Sequence, residues 1–165
     1  MERITRITRS PGETEALGRD LALALPERAA VGLVGELGSG KTCFVRGLAG
    51  GLGLDPGEIA SPTFVYLVDY AGGRSRLTHA DLYRLADLAE DVASEAFDSI
   101  GLTQALASAG ITVVEWWDSY RGPKPPDLVT VEFLIENVDV RSITLTFDGA
   151  AMAALADRLE GTASG

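Results

Sequence analysis

Gly35-Glu36-Leu37-Gly38-Ser39-Gly40-Lys41-Thr42 is the stretch on which the reading of this chain turns. It spells G-x-x-x-x-G-K-(S/T), the phosphate-binding loop, and its flanks have the character that loop requires. Before it, Ala29 to Val34 is a short apolar run suited to a buried parallel strand. After it, Thr42 to Ala49 has helical spacing, with Phe44, Val45, Leu48 and Ala49 near one face. Strand, glycine loop and helix in that order predict a polyphosphate site rather than a glycine-rich turn.

The chemistry explains the spelling. A polyphosphate needs several backbone N–H groups turned inward, in a conformation that glycine adopts most cheaply. The helix that begins at Lys41 adds the positive end of its dipole. The spacing therefore predicts nucleotide contacts from Glu36, Leu37, Gly38, Ser39, Gly40, Lys41, Thr42 and Cys43. Lys41 is expected to reach the β- and γ-phosphates, and the Thr42 hydroxyl to ligate Mg²⁺.

Composition bounds the function. The 165 residues, 46% of them hydrophobic, suit a single domain spanning 1–165. No apolar run approaches the ~20 residues of a membrane span. The N-terminus, Met1 to Arg6, has no apolar signal core, and the only cysteine, Cys43, has no partner within the chain. Both features point to a cytoplasmic protein. A net charge of −10 argues against a free-standing binder of DNA or RNA, so any contact with RNA is expected to run through a partner.

The rest of the chain reads as an α/β domain. Ile4 to Thr8 alternates like an edge strand. Ser10-Pro11-Gly12-Glu13 forms a capping box ahead of a helix from Thr14 to Leu25, placed to pack on the sheet or to cover a nucleotide base. Ser61 to Tyr70 and Ser75 to Asp81 read as a hairpin across the Ala71–Arg74 turn. The D-x-x-G spelled by Asp69 to Gly72 belongs to that turn, because the N-K-x-D partner of guanine-specific proteins is absent. Asp87 to Phe97 and Asp98 to Ala109 have helical character, and Ile111 to Trp116 is a second buried strand. Leu128 to Ile135 and Ser142 to Phe147 read as strands, Met152 to Leu159 as a last helix, and 161–165 as a frayed tail.

Hydrolysis or transfer also needs a metal ligand and a group to place the nucleophile. Asp81 and Glu115 each end a predicted strand, where ligands gather in open α/β sheets. Either can hold Mg²⁺ directly or through water, leaving the other to orient the attacking water. Glu115 is favoured as the metal ligand, since Ile111 to Val114 has the character of a Walker B strand. Thr63, fixed behind Pro62, is a candidate sensor of the γ-phosphate. His79 reads as a strand filler rather than a base.

The combination G-E-L-G-S-G-K-T, S-P-T-F, H-A-D-L-Y-R-L and V-E-W, with the E-T-x-x-L-G of Glu13 to Gly18, resembles the TsaE (YjeE) family. The match runs in order from Ser10 to about Trp116. The resemblance implies a small P-loop ATPase required for threonylcarbamoyladenosine in tRNA, acting with TsaB and TsaD and touching tRNA only indirectly. It implies a P-loop NTPase-like three-layer fold, with a mixed parallel and antiparallel sheet and helices on both faces. It further implies ATP and Mg²⁺ as cofactors, Thr42 and Glu115 as metal ligands, Asp81 and Thr63 on the catalytic side with Lys41, and Thr14 beside the nucleotide. Trp116 would sit next to the site. Cys43 stands where that family often has Thr or Ser.

Two other classes fit the loop. A small-molecule kinase would bring an arginine-bearing lid over the phosphates, for which the stretch 118–127 offers Arg121 and Lys124. A nucleotide-responsive adaptor would bind without useful turnover.

Overall fold

The parallel strand ahead of the phosphate loop sits at the centre of the sheet. The computed structural model describes residues 1–162. In chain order its elements are β1 (Glu2–Thr8), α1 (Pro11–Ala24), β2 (Arg28–Val34), α2 (Lys41–Gly51), β3 (Leu67–Tyr70), β4 (Leu77–Asp81), α3 (Glu90–Ser99), α4 (Leu102–Ala107), β5 (Gly110–Glu115), β6 (Leu128–Ile135), β7 (Arg141–Asp148) and α5 (Ala150–Thr162). Among the described residues the strands form one seven-stranded sheet in the order β1-β7-β6-β2-β5-β4-β3. β2 is parallel to both β6 and β5, and β5 is parallel to β4. The outer pairs β1–β7, β7–β6 and β4–β3 are antiparallel.

Side-chain alternation assigns the two layers of helices. Val31, Leu33, Leu77, Ile111 and Val113 face Leu21 of α1, Phe44 and Leu48 of α2 and Leu155 of α5 in one apolar cluster. Ala80 and Val114 face the other way, onto Ala93, Phe97 and Leu102 of α3 and α4. The sheet is thus mixed and covered on both faces, the architecture expected from the sequence. No helix among the described residues is long and apolar enough to cross a membrane.

The start of α1 follows its spelling. The Ser10 side chain accepts from the Glu13 backbone N–H at 3.1 Å, with Pro11 opening the helix. Its contact with α2 is backbone to backbone. A Cβ at Gly47 would lie 1.8 Å from the Glu15 carbonyl oxygen, and one at Gly18 would lie 2.2 Å from that of Phe44. Only glycine at both positions lets the two helices approach this closely.

Three stretches differ from expectation. Ser61 to Tyr66 is a turn, not the start of a strand: Val65 and Tyr66 both donate to the Pro62 carbonyl, and Tyr66 takes a φ of 68°. The helical stretch predicted from Asp87 begins at Glu90, after a 3-10 turn at Tyr83–Leu85. The next predicted helix is interrupted by Gly101 at φ 90°, which leaves only α4 beyond it. Of the expected tail, Gly161 and Thr162 continue α5, and 163–165 lie outside the described residues.

Candidate active site

The parallel pairings bring three strand ends to one edge. Leu33 of β2 lies opposite Glu115 of β5, and Glu115 lies opposite Asp81 of β4. The phosphate loop leaves β2 one residue later, so the loop and both candidate carboxylates share the carboxyl edge of the sheet.

Gly38 at φ 77° and Gly40 at φ 104° turn the loop into the first turn of α2. A Cβ at Gly38 would meet nothing within 4 Å, so the space there is open. The buried Ser39 hydroxyl has no hydrogen-bond partner. Lys41, only 5% exposed, donates to the carbonyls of Gly35 and Glu36, the latter at 2.8 Å. Its ammonium also lies 4.5 Å from the centre of the Trp116 ring. Burial lowers its pKa, and Glu115, Asp81, Asp118 and Glu36 partly restore it. The pocket thus sets one buried cation, Lys41, beside two buried carboxylates, Asp81 and Glu115.

Thr42 and Glu115 face each other, Oγ1 standing 3.3 Å from Oε1 and 3.5 Å from Oε2. Asp81 is held on three sides: Ser61 and Thr63 donate to Oδ2 at 2.6 and 2.8 Å, and the Tyr83 N–H donates to Oδ1 at 2.8 Å. These groups line one cavity of about 390 Å³ together with Leu37, Gly38, Gly40, Cys43, Tyr83 and Trp116. A second cavity of about 180 Å³ adjoins it, sharing Gly38, Gly40 and Cys43 and adding Thr14, Val138, Asp139 and Arg141.

The expected residues therefore converge. Lys41, Thr42, Thr63, Asp81 and Glu115 line the first cavity, and Thr14 lines the second, its hydroxyl 2.8 Å from that of Thr8. Glu36 contributes its carbonyl to Lys41. Cys43 donates to the Pro11 carbonyl at 3.1 Å, and burial followed by Glu15 pushes its thiol pKa up, which suits a packed residue rather than a nucleophile. The D-x-x-G aspartate, Asp69, lies away from the site; it pairs with Thr78 and accepts from Arg76 in the β3–β4 hairpin.

Two residues were not visible as site residues. Arg141 donates to the Ser39 carbonyl at 3.2 Å and the Gly38 carbonyl at 3.1 Å, and also to three carbonyls of the β6–β7 turn. Ser61 shares Asp81 with Thr63. Only the S-P-T spelling hinted at Ser61, and nothing local marks Arg141.

Comparison with known proteins gives this edge a lineage. The family model described as "Threonylcarbamoyl adenosine biosynthesis protein TsaE" matches residues 8–143. The chain belongs to the TsaE family. The tRNA threonylcarbamoyladenosine biosynthesis protein TsaE of Treponema pallidum (strain Nichols) is 39% identical over 84% of this chain and 97% of its own length. The TsaE of Bacillus subtilis (strain 168) is 31% identical over 96% of this chain and 95% of its own. Among solved structures, Bacillus subtilis YdiB superposes with a TM-score of 0.75 at 25% identity, covering 98% of this chain and 96% of that one. The family is the one its S-P-T-F, H-A-D-L-Y-R-L and V-E-W segments resemble.

The donor set suits magnesium. No group of three or more His, Cys, Asp or Glu able to hold a metal alone occurs among the described residues. Magnesium does not ask for one, since it takes one or two protein oxygens and completes its shell with phosphate and water. The Thr42 hydroxyl and the Glu115 carboxylate, 3.3 Å apart, are oxygen ligands of the kind that would hold such an ion.

Proposed function

We propose that this chain is a Mg²⁺-dependent ATP-binding and ATP-hydrolysing subunit. It drives or resets the TsaB–TsaD machinery that makes threonylcarbamoyladenosine in tRNA, and it meets tRNA only through those partners. One observation carries the reading: Lys41, Thr42, Glu115 and Asp81, from three separate elements, converge on a single cavity at the phosphate loop.

Each residue has a task in that reading. The amides of Gly38 to Thr42 and the α2 dipole bind the phosphates, while the Lys41 ammonium exchanges its loop carbonyls for phosphate oxygens. Thr42 and Glu115 hold magnesium, which when bound screens the phosphate charge and polarises the transferred group. Asp81 orients Ser61 and Thr63 toward the cavity, and the one lone-pair site its three donors leave free is available to a water. The second cavity, under the start of α1, receives the ribose and base.

Against the kinase alternative, its two candidate lid cations make local contacts. Arg121 donates to the carbonyls of Asp118 and Tyr120, and Lys124 pairs with Asp148 at 3.1 Å. Turnover by the chain alone is expected to be weak, because the cavity is open to water until a partner covers it.

The deciding experiment is phosphate release from magnesium-ATP by the pure chain and by the chain with TsaB and TsaD. A burst and steady turnover that depend on the partners support an ATPase. Binding without release indicates the adaptor instead. No uptake of magnesium-ATP under either condition overturns both.

A further inference from the structure

His79 is a buried polar residue that the reading above leaves without a task. It lies in β4 between Thr78 and Ala80, fully buried, on the strand face it shares with Leu77 and Asp81. Its Nε2 lies 2.6 Å from Oε2 of Glu115, while its Nδ1 is buried with no partner. Leaving that nitrogen unsatisfied carries a penalty that an apolar side chain would avoid. Packing therefore does not explain an imidazole here, but the contact with Glu115 does.

We propose that His79 is a positioning residue that sets the rotation of the Glu115 carboxylate for magnesium. The inference rests on the magnesium-ATP reading above. His79 pairs with Val113 and Asp81 pairs with Glu115, so His79 lies one pleat behind the carboxylate on the same face of the sheet. Thr42 cannot choose between the two carboxylate oxygens, being 3.3 and 3.5 Å from them. The much shorter His79 bond does choose. It binds Oε2 from the core side and leaves Oε1 toward Thr42 and the cavity. Groups that orient a metal-binding carboxylate in this way commonly change metal affinity by about 10–100-fold when removed.

The test is calorimetric titration of the full chain with ATP in magnesium and in EDTA, the ratio of the two affinities giving the magnesium enhancement. His79→Leu, similar in size but without a donor, is expected to bind ATP in EDTA as the parent does and to lose about tenfold or more of the enhancement. His79→Gln, which keeps an N–H, recovers most of it. An unchanged enhancement in folded His79→Leu overturns the inference. A parent chain that takes up no magnesium-ATP overturns the underlying reading, and the inference falls with it.

If His79→Leu does not fold, the parent chain decides. His79 is the sole histidine, so its ring N–H gives a single assignable proton resonance. That resonance is expected to be protected from exchange and to move with magnesium-ATP but not with ATP in EDTA. Absence of a magnesium-specific movement overturns the assignment.

Discussion

The Thr42 hydroxyl donates toward Glu115 across 3.3 Å, so the first turn of α2 and the end of β5 face each other. Removing either side should abolish a shared function rather than halve it. Thr42→Ala and Glu115→Ala are each expected to lower partner-stimulated ATP turnover by about a hundredfold or more, the scale of losing a charge-stabilising group. The double variant should be little worse than either single one, because the two residues act as a unit. Normal hydrolysis by Glu115→Ala, measured as phosphate release with partners present, would refute the assignment.

Asp81 gives a different signature. Its three donors come from Ser61, Thr63 and Tyr83, so Asp81→Ala releases the turn that carries Thr63. Losing charged hydrogen bonds of this kind should destabilise the fold by about 3 kcal/mol. Amide exchange at Thr63 to Tyr66 should accelerate more than exchange in β2. Uniform acceleration across both segments would mean that Asp81 is not a local latch.

Arg141 reaches the phosphate loop from outside. In a trans peptide the C=O and N–H point in opposite directions, so holding the Ser39 carbonyl aims the Gly40 N–H away from Arg141. Arg141→Lys loses the fork that spans both loop carbonyls. It should weaken ATP binding by about tenfold while leaving the maximal turnover near that of the parent. A lowered maximal rate at saturating ATP would instead place Arg141 in the chemical step.

The α1–α2 contact makes a stability prediction. Gly47→Ala places a methyl group 1.8 Å from the Glu15 carbonyl oxygen, where backbone has to move. The expected loss is about 3 kcal/mol in urea unfolding, the upper range for overpacking. A change within about 0.5 kcal/mol would show that the helices slide apart freely.

Lys41 sets a pH dependence with two opposite signs. Burial lowers its pKa below the ordinary 10.5, so the unfolded chain holds that proton more tightly than the folded one. The resulting penalty on stability is present in full below the lowered value and is relieved as pH rises from that value toward 10.5. Nucleotide binding needs the ammonium, so ATP affinity measured in EDTA should decline by about tenfold per pH unit above that same value. Affinity that stays flat up to pH 10.5 would contradict the burial effect.

How much of this was readable in advance follows from the range of each interaction. The phosphate loop, β2, α2 and the acid at the end of β5 are local patterns, and each appears where its spelling put it. Ser61 to Tyr66 misled because Phe64, Val65 and Tyr66 imitate a strand. What bends them is Asp81, whose bonds to Ser61 and Thr63 come from 20 and 18 residues away. Gly101 sat inside a helical pattern that its left-handed backbone ends. Arg141 reaches Ser39 across 102 positions of chain, a proximity that only the β7-β6-β2 strand order creates. His79 looked like filler because its partner, Glu115, belongs to the neighbouring strand.

The contacts of Lys41 bear on every nucleotide affinity of this chain. The ammonium of Lys41 is tied to two carbonyl oxygens of the peptide segment that it serves. On the proposed function, nucleotide capture is a swap in which these ties break as new ones form, and calorimetry records only the difference. A ligand whose terminal group fails to reach Lys41 leaves that tether intact. Truncated nucleotides should thus bind better than a simple tally of lost phosphate contacts would suggest.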